Sequence, residues 1–169
     1  MRSLVTYWTQ TGNTQKVANS IFASLPGTKV LLPIHEVEDT SGFDLIFIGF
    51  PIVRFGPPEI VSEFLSSRAA GKKIALFITH AMPSRSDDPG QISMLRKELE
   101  KCREACAGSH LAGMFHCQGE LSEKETETLV ASKIPMLMAF AAMRPQTIGH
   151  PDEAELREAG MFAEVMATL

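Results

Sequence analysis

Positive charge, cysteine pairs and long apolar runs are all scarce in this chain, and each shortage removes a class of function. Sixteen Lys and Arg against twenty Asp and Glu leave a net charge of −4, so the basic footprint that a nucleic-acid backbone demands is missing and no nucleic acid is expected as a ligand. Three cysteines are too few and odd in number for a disulfide framework, which fits a reduced, cytoplasmic setting. No apolar stretch approaches the length of a bilayer span, so no membrane partner is expected. Met1-Arg2-Ser3 is followed by only five strand-like residues before a polar turn, unlike a secretory leader. Internal repeats and low-complexity tracts are absent, as are the triphosphate loop Gly-x-x-x-x-Gly-Lys-(Ser/Thr) and the dinucleotide fingerprint Gly-x-Gly-x-x-Gly. At 169 residues, 44% hydrophobic and 21% charged, residues 1–169 have the size and composition of a single globular domain.

What is present concentrates near the start. Leu4-Val5-Thr6-Tyr7-Trp8 reads as a strand, and the apolar positions 17, 18, 21, 22 and 25 read as one face of a helix. Between them lies Thr9-Gln10-Thr11-Gly12-Asn13-Thr14. The first amides of a helix lack intrahelical partners and carry the positive end of its dipole, so a turn rich in hydroxyls there suits an anion. Gly12 permits close approach of the backbone, and Thr9, Thr11 and Thr14 each offer a donor. A simple helix cap at Thr11 or Asn13 would need one such residue, whereas this turn has four within six positions. A single phosphate, without magnesium, is the expected ligand group.

The run Tyr7 to Thr14 resembles the flavodoxin signature (Ser/Thr)-x-Thr-Gly-x-Thr. That resemblance implies a three-layer α/β sandwich with a five-stranded parallel sheet of order 2-1-3-4-5, and FMN as a non-covalent cofactor whose phosphate sits on Thr9, Gln10, Thr11, Gly12, Asn13 and Thr14. It further implies electron transfer between redox partner proteins, with no residue acting as acid, base or nucleophile and no metal site. Two other classes stay open: a small FMN-dependent reductase acting directly on NAD(P)H, a quinone or a tetrapyrrole, and a module without flavin that works through protein contacts.

The rest of the chain alternates strands and helices. Residues 29–33, 43–49, 74–79 and 110–116 read as strands, 43–49 and 74–79 apolar enough to be covered on both faces. Residues 58–67, a seam of Ile92, Leu95, Leu99, Cys102 and Cys106, and residues 152–169 read as helices. In the last of these, Ala159, Phe162, Val165, Met166 and Leu169 are expected to point inward. Cys102 and Cys106 are core residues rather than metal ligands, and His35 is solvated.

By the resemblance, the flavin ring lies between the 50–56 and 79–85 loops. Pro51, Ile52, Val53, Arg54, Phe55 and Gly56 form one wall, with Phe50 or Phe55 as the stacking aromatic, and Gly56 lets a peptide beside the flavin turn over on reduction. Arg54 pairs with the phosphate, the reduced flavin or a partner, or else is a plain surface arginine. Thr79, His80, Ala81 and Met82 form the other wall. His80 either tunes or protonates the flavin or is a satisfied structural group, since no carboxylate partner is visible. Cys117 fits behind the flavin as a small residue or serves as a reactive thiol. Ser122 and Glu125 form a capping box. An insertion at about 120–150 follows, interrupted by Pro135, and Ile134 to Met143 lacks any polar side chain. Burial against its own domain is favoured for this stretch over a contact surface for a partner or a homodimer through 134–143.

Overall fold

The computed structural model describes residues 1–83 and 86–169. Strands β1 (Arg2–Tyr7), β2 (Thr28–Pro33), β3 (Leu45–Pro51), β4 (Lys73–His80) and β5 (His110–Gln118) form one sheet in the order β2-β1-β3-β4-β5. Every pairing is parallel. The sheet order implied by the resemblance is therefore the order found.

Alternation along the strands builds two cores, because successive side chains leave opposite faces. Leu4, Ile46, Ile48, Phe50, Ile74, Leu76 and Ile78 face one side. There they meet Val61, Phe64 and Leu65 of α2 (Glu59–Ser67), Cys102 of α3 (Pro89–Glu104) and Cys106 just beyond it. Val5, Tyr7, Leu45, Phe47, Ala75 and Phe77 face the other. They pack on Val17, Ala18 and Ile21 of α1 (Asn13–Ser24) and on Ala159, Ala163 and Met166 of α6 (Glu153–Thr168). Each such Leu, Ile or Phe contributes about 1.5–3 kcal/mol through burial, so the layering follows from the alternation itself.

Three strands reach further toward their carboxyl ends than the apolar pattern indicates. The ladder continues through Pro51 opposite Thr79 and through Thr79 and His80 opposite Cys117 and Gln118. Pro51, Thr79, His80 and Cys117, expected in loops or at a strand's edge, are thus held by backbone pairing. The third strand begins at Leu45 rather than Phe43. In α6 the inward stripe runs through Ala159, Ala163 and Met166, while Val165 and Leu169 are 55% and 70% exposed. Those two lie off the stripe and correct the expected inward set.

The segment beyond β5 departs most from expectation. Helices α4 (Glu123–Ala131) and α5 (Pro135–Ala142) pair with each other, and Ala141 is the only residue of the two that is buried. Ile134, Met136 and Met138 are 44–49% exposed. The favoured burial of this apolar stretch against its own domain is therefore wrong. Its sequence is apolar on every side, so one small helix cannot turn all of it inward. Ser122 Oγ accepts from Glu125 N–H at 3.2 Å, and the Glu125 carboxylate meets that hydroxyl at 3.3 Å. The full reciprocal capping box is found instead at α6, between Asp152 and Glu155. No helix is long and apolar enough among the described residues to cross a membrane.

Candidate functional site

At the carboxyl edge of the sheet, where β1 and β3 lie side by side, a recess of about 90 Å³ opens. Thr9, Gln10, Thr11, Asn13, Thr14, Pro51, Ile52, Thr79, His80 and Ala81 line it, as the sequence led one to expect. Gly119, Glu120, Leu121 and Glu125 complete the lining. The volume admits several water-sized groups, enough for a phosphoryl group.

The 9–14 turn is organised from within. Gly12 adopts φ +91°, the left-handed conformation that side chains resist, and from it α1 departs. No side chain caps α1, so its first amides keep their donors for a ligand. Thr9 Oγ1 accepts from Gly12 N–H at 3.0 Å, and Thr11 Oγ1 accepts from Asn13 Nδ2 at 3.3 Å. Each hydroxyl is used as an acceptor, which leaves its own proton to give. Thr14 is wholly buried, and its hydroxyl lies 2.9 Å from that of Thr79. With Thr79 donating, Thr14 keeps its proton for the recess. The donor set fits a phosphate monoester.

The wall contributed by residues after β5 was the least visible in advance. Asn13 Nδ2 donates to Glu120 O at 2.9 Å, and Gly119 lies so close to Asn13 that a Cβ there would stand 3.0 Å from its Nδ2. Gly119 N–H also donates to His80 O at 2.8 Å. The sequence places Gly119 and Glu120 at the ligand-side end of the fifth strand but not among the site residues, because their role depends on contacts with position 13. No cation among the described residues lines the recess, whereas Glu120 and Glu125 do. Attraction for an anion therefore comes from dipoles and hydrogen-bond donors. Glu120 Oε2 is engaged by Gly149 N–H at 3.1 Å.

The second wall is tied from below. Gln118 Nε2 donates to Ala81 O at 3.1 Å, and His80 Nδ1 lies 2.8 Å from Met82 O. A carbonyl only accepts, so Nδ1 carries the hydrogen. His80 Nε2 lies 3.0 Å from His116 Nδ1. Burial above all, and then the neighbouring His116, lower the His80 pKa to about 3; burial also lowers that of His116. No partner for His80 was visible in the sequence, and the one found is a second histidine. With both ring nitrogens engaged inside the protein, His80 cannot hand a proton directly to a ligand in the recess. Met82 is buried beneath the loop rather than lining the recess, and Ser84 and Arg85 of the 79–85 loop lie outside the described residues.

Beyond Ile52 the first wall tightens into a turn. Val53 N–H and Gly56 N–H bond to each other's carbonyls at 2.9 and 3.2 Å, and the residues between, Arg54 and Phe55, have φ +50° and +67°. Gly56 does not adopt a positive φ, so the left-handed positions belong to Arg54 and Phe55 and not to the glycine singled out from the sequence. Phe55 packs edge-on against Phe140 of α5, with centroids 6.3 Å apart. Phe50 is wholly buried in the core, which leaves Phe55 as the aromatic of this wall. Val53, Arg54, Phe55 and Gly56 do not line the recess itself.

Cys117 also lies outside it, packed in the core beside α1 and α6. Burial, followed by the nearby carboxylates of Glu155, Asp152 and Glu158, pushes its thiol pKa up, so it is a small core residue and not a nucleophile.

A parallel sheet of this order, with an uncapped helix start and its ligand-side loops gathered at one edge, defines a doubly wound α/β fold of the flavodoxin type. Residues 4–164 match the Flavodoxin domain family, and the chain belongs to that family. It is 29% identical over 176 residues to the flavodoxin-like domain-containing protein BilS of Clostridioides difficile strain CD3, covering 98% of this chain and 96% of that one. Among solved structures, a flavodoxin from the domain Archaea aligns with a TM-score of 0.59 at 15% identity, covering 99% of this chain and 97% of the other. General stress protein 14 from Treponema denticola, solved in complex with FMN, aligns with a TM-score of 0.54 at 12% identity, covering 98% and 99% of the two chains.

Proposed function

We propose that the protein is an FMN-binding electron carrier that passes electrons between redox partner proteins. One observation carries this reading: the uncapped start of α1 is ringed by Thr9, Thr11 and Thr14, and the hydroxyls of Thr9 and Thr11, used as acceptors, each keep a proton to donate. These residues would hold the FMN phosphate. Ile52, Phe55 and Ala81 would border its ring, and the acidic Glu120 and Glu125 would oppose the gathering of further negative charge. When bound, FMN supplies reversible one- and two-electron transfer at its ring. The chain's own residues bind, orient and exclude water. The exposed Ile134, Met136 and Met138 beside Glu123, Glu125 and Glu127 suit a partner with an apolar face and a basic rim.

The test is titration of FMN with apoprotein. Quenching of FMN fluorescence at one equivalent, weakened in Thr11→Ala, supports the reading. A protein that leaves FMN fluorescence unchanged overturns it, and rapid turnover of NAD(P)H without a partner would replace the carrier by a reductase.

A further inference from the structure

The buried histidine pair has no part in holding a phosphate, and its hydrogen bonds have a fixed sense. Met82 O can only accept, so His80 Nδ1 carries a hydrogen. Neutral His80 then has a bare Nε2, which must accept from His116 Nδ1–H. Among the described residues, nothing engages the remaining nitrogen, His116 Nε2. His80 lines the cofactor recess, whereas His116 lines a separate groove of about 310 Å³ with Pro83, Leu95, Arg96 and Met114. The pair therefore has one member at each of two openings.

We propose that His80 and His116 form a one-proton store for the cofactor site, filled at His116 Nε2 from the groove when negative charge accumulates in the recess lined by His80. A solvent proton binds His116 Nε2, and the His116 Nδ1 proton shifts to His80 Nε2. The positive charge then rests on His80, beside the recess, with its Nδ1–H still on Met82 O. No bond between heavy atoms changes.

The surroundings favour such uptake. From α3, Arg96, Glu100 and Arg103 line the same groove. Cys117 of its own strand, and His150, Asp152, Glu155 and Glu158 at the start of α6, share a second opening with His116. Among the described residues, Arg96 and Arg103 face Glu100, Asp152 and Glu155. Burial keeps the empty pair neutral near pH 7, and the pair titrates as a unit. The inference rests on the cofactor reading, because FMN is the source of the charge.

Imidazole nitrogen NMR of the apoprotein, then of the protein with FMN, tests it. The expected apo pattern has hydrogen on Nδ1 of both rings. Bound FMN should raise the apparent pKa of the pair by about one unit, a tenfold gain in proton affinity read in the acid range where the pair titrates. His116→Gln, which keeps a donor toward His80 but cannot take the proton, should remove the corresponding break from the pH dependence of the FMN midpoint potential. A different tautomer pattern in the wild-type apoprotein overturns the proposal whether or not the variant folds. So does a pair whose titration is the same with and without FMN when fluorescence quenching shows the flavin bound. If no quenching occurs, the cofactor reading falls and the charge-balancing role falls with it, a failure distinct from an indifferent pair in a loaded protein.

Discussion

The 9–14 turn and the 53–56 turn stand at the same edge of the same sheet, yet they are held in opposite ways. In the first, the one left-handed residue is Gly12, and side-chain hydroxyls brace the backbone. In the second, two side-chain-bearing residues, Arg54 and Phe55, occupy left-handed positions that a two-residue turn of this kind normally gives to Asn and Gly. The first is relaxed and ready for an anion. The second stores strain, of order 1–3 kcal/mol for each such residue, against a contact with α5. The same edge thus carries one turn eased by a glycine and one held against the preference of its side chains.

Substitutions can break or sharpen this contrast. The largest effect is expected at Thr14→Val, which strands the Thr79 hydroxyl and removes a recess donor. Stability should fall by about 1–3 kcal/mol and FMN affinity by roughly ten- to a hundredfold, read by denaturant unfolding and fluorescence titration. If stability falls and affinity does not, the turn is scaffold alone.

The wall around His80 should respond to pH where the hydroxyl turn does not. The His80 pKa is depressed in the fold, so the unfolded chain binds more protons between its ordinary 6.5 and about 3. Stability is full above 6.5 and is lost as pH falls through that window. Apoprotein taken from pH 7 to 5 should lose about 2 kcal/mol through this one proton, and a flat profile would refute the buried neutral histidine.

At the strained turn, Arg54→Asn should raise the unfolding midpoint, worth about 1 kcal/mol, because Asn tolerates the left-handed region. A loss instead would show that the Arg54 side chain stabilises the turn. The smallest effect belongs to Glu125→Gln, which takes a carboxylate away from the recess: FMN binding should tighten about two- to threefold at low salt, with the gain fading as salt is added.

Local chemistry explains what could be read from sequence. Strands β3 and β4 announce themselves because both of their faces are covered, and Thr9 to Thr14 because the residues that serve the recess are neighbours along the chain. Thr79 and His80 were found for the same reason, as the end of an apolar run. Gly119 and Glu120 were passed over as lining because their function is a contact with Asn13, and position 116 carried no signal that its ring would meet that of His80. Gly56 was singled out by the resemblance, as the residue that lets a peptide turn over, whereas here the left-handed positions fall on its neighbours Arg54 and Phe55, held by the hairpin bonds and Phe140. Ile134 to Met143 misled for a related reason. Apolar composition reports a wish to be covered, but not by what.

The hydrogen bond from Asn13 to Glu120 joins residues 107 positions apart. During synthesis, the first helix can form its anion-seeking end long before the far wall exists, since that wall waits for β5 to leave the ribosome and take its place at the sheet edge. Loading of a ligand into the finished recess therefore follows the docking of β5, and a fragment ending before residue 110 would carry the turn intact but have nothing to close it.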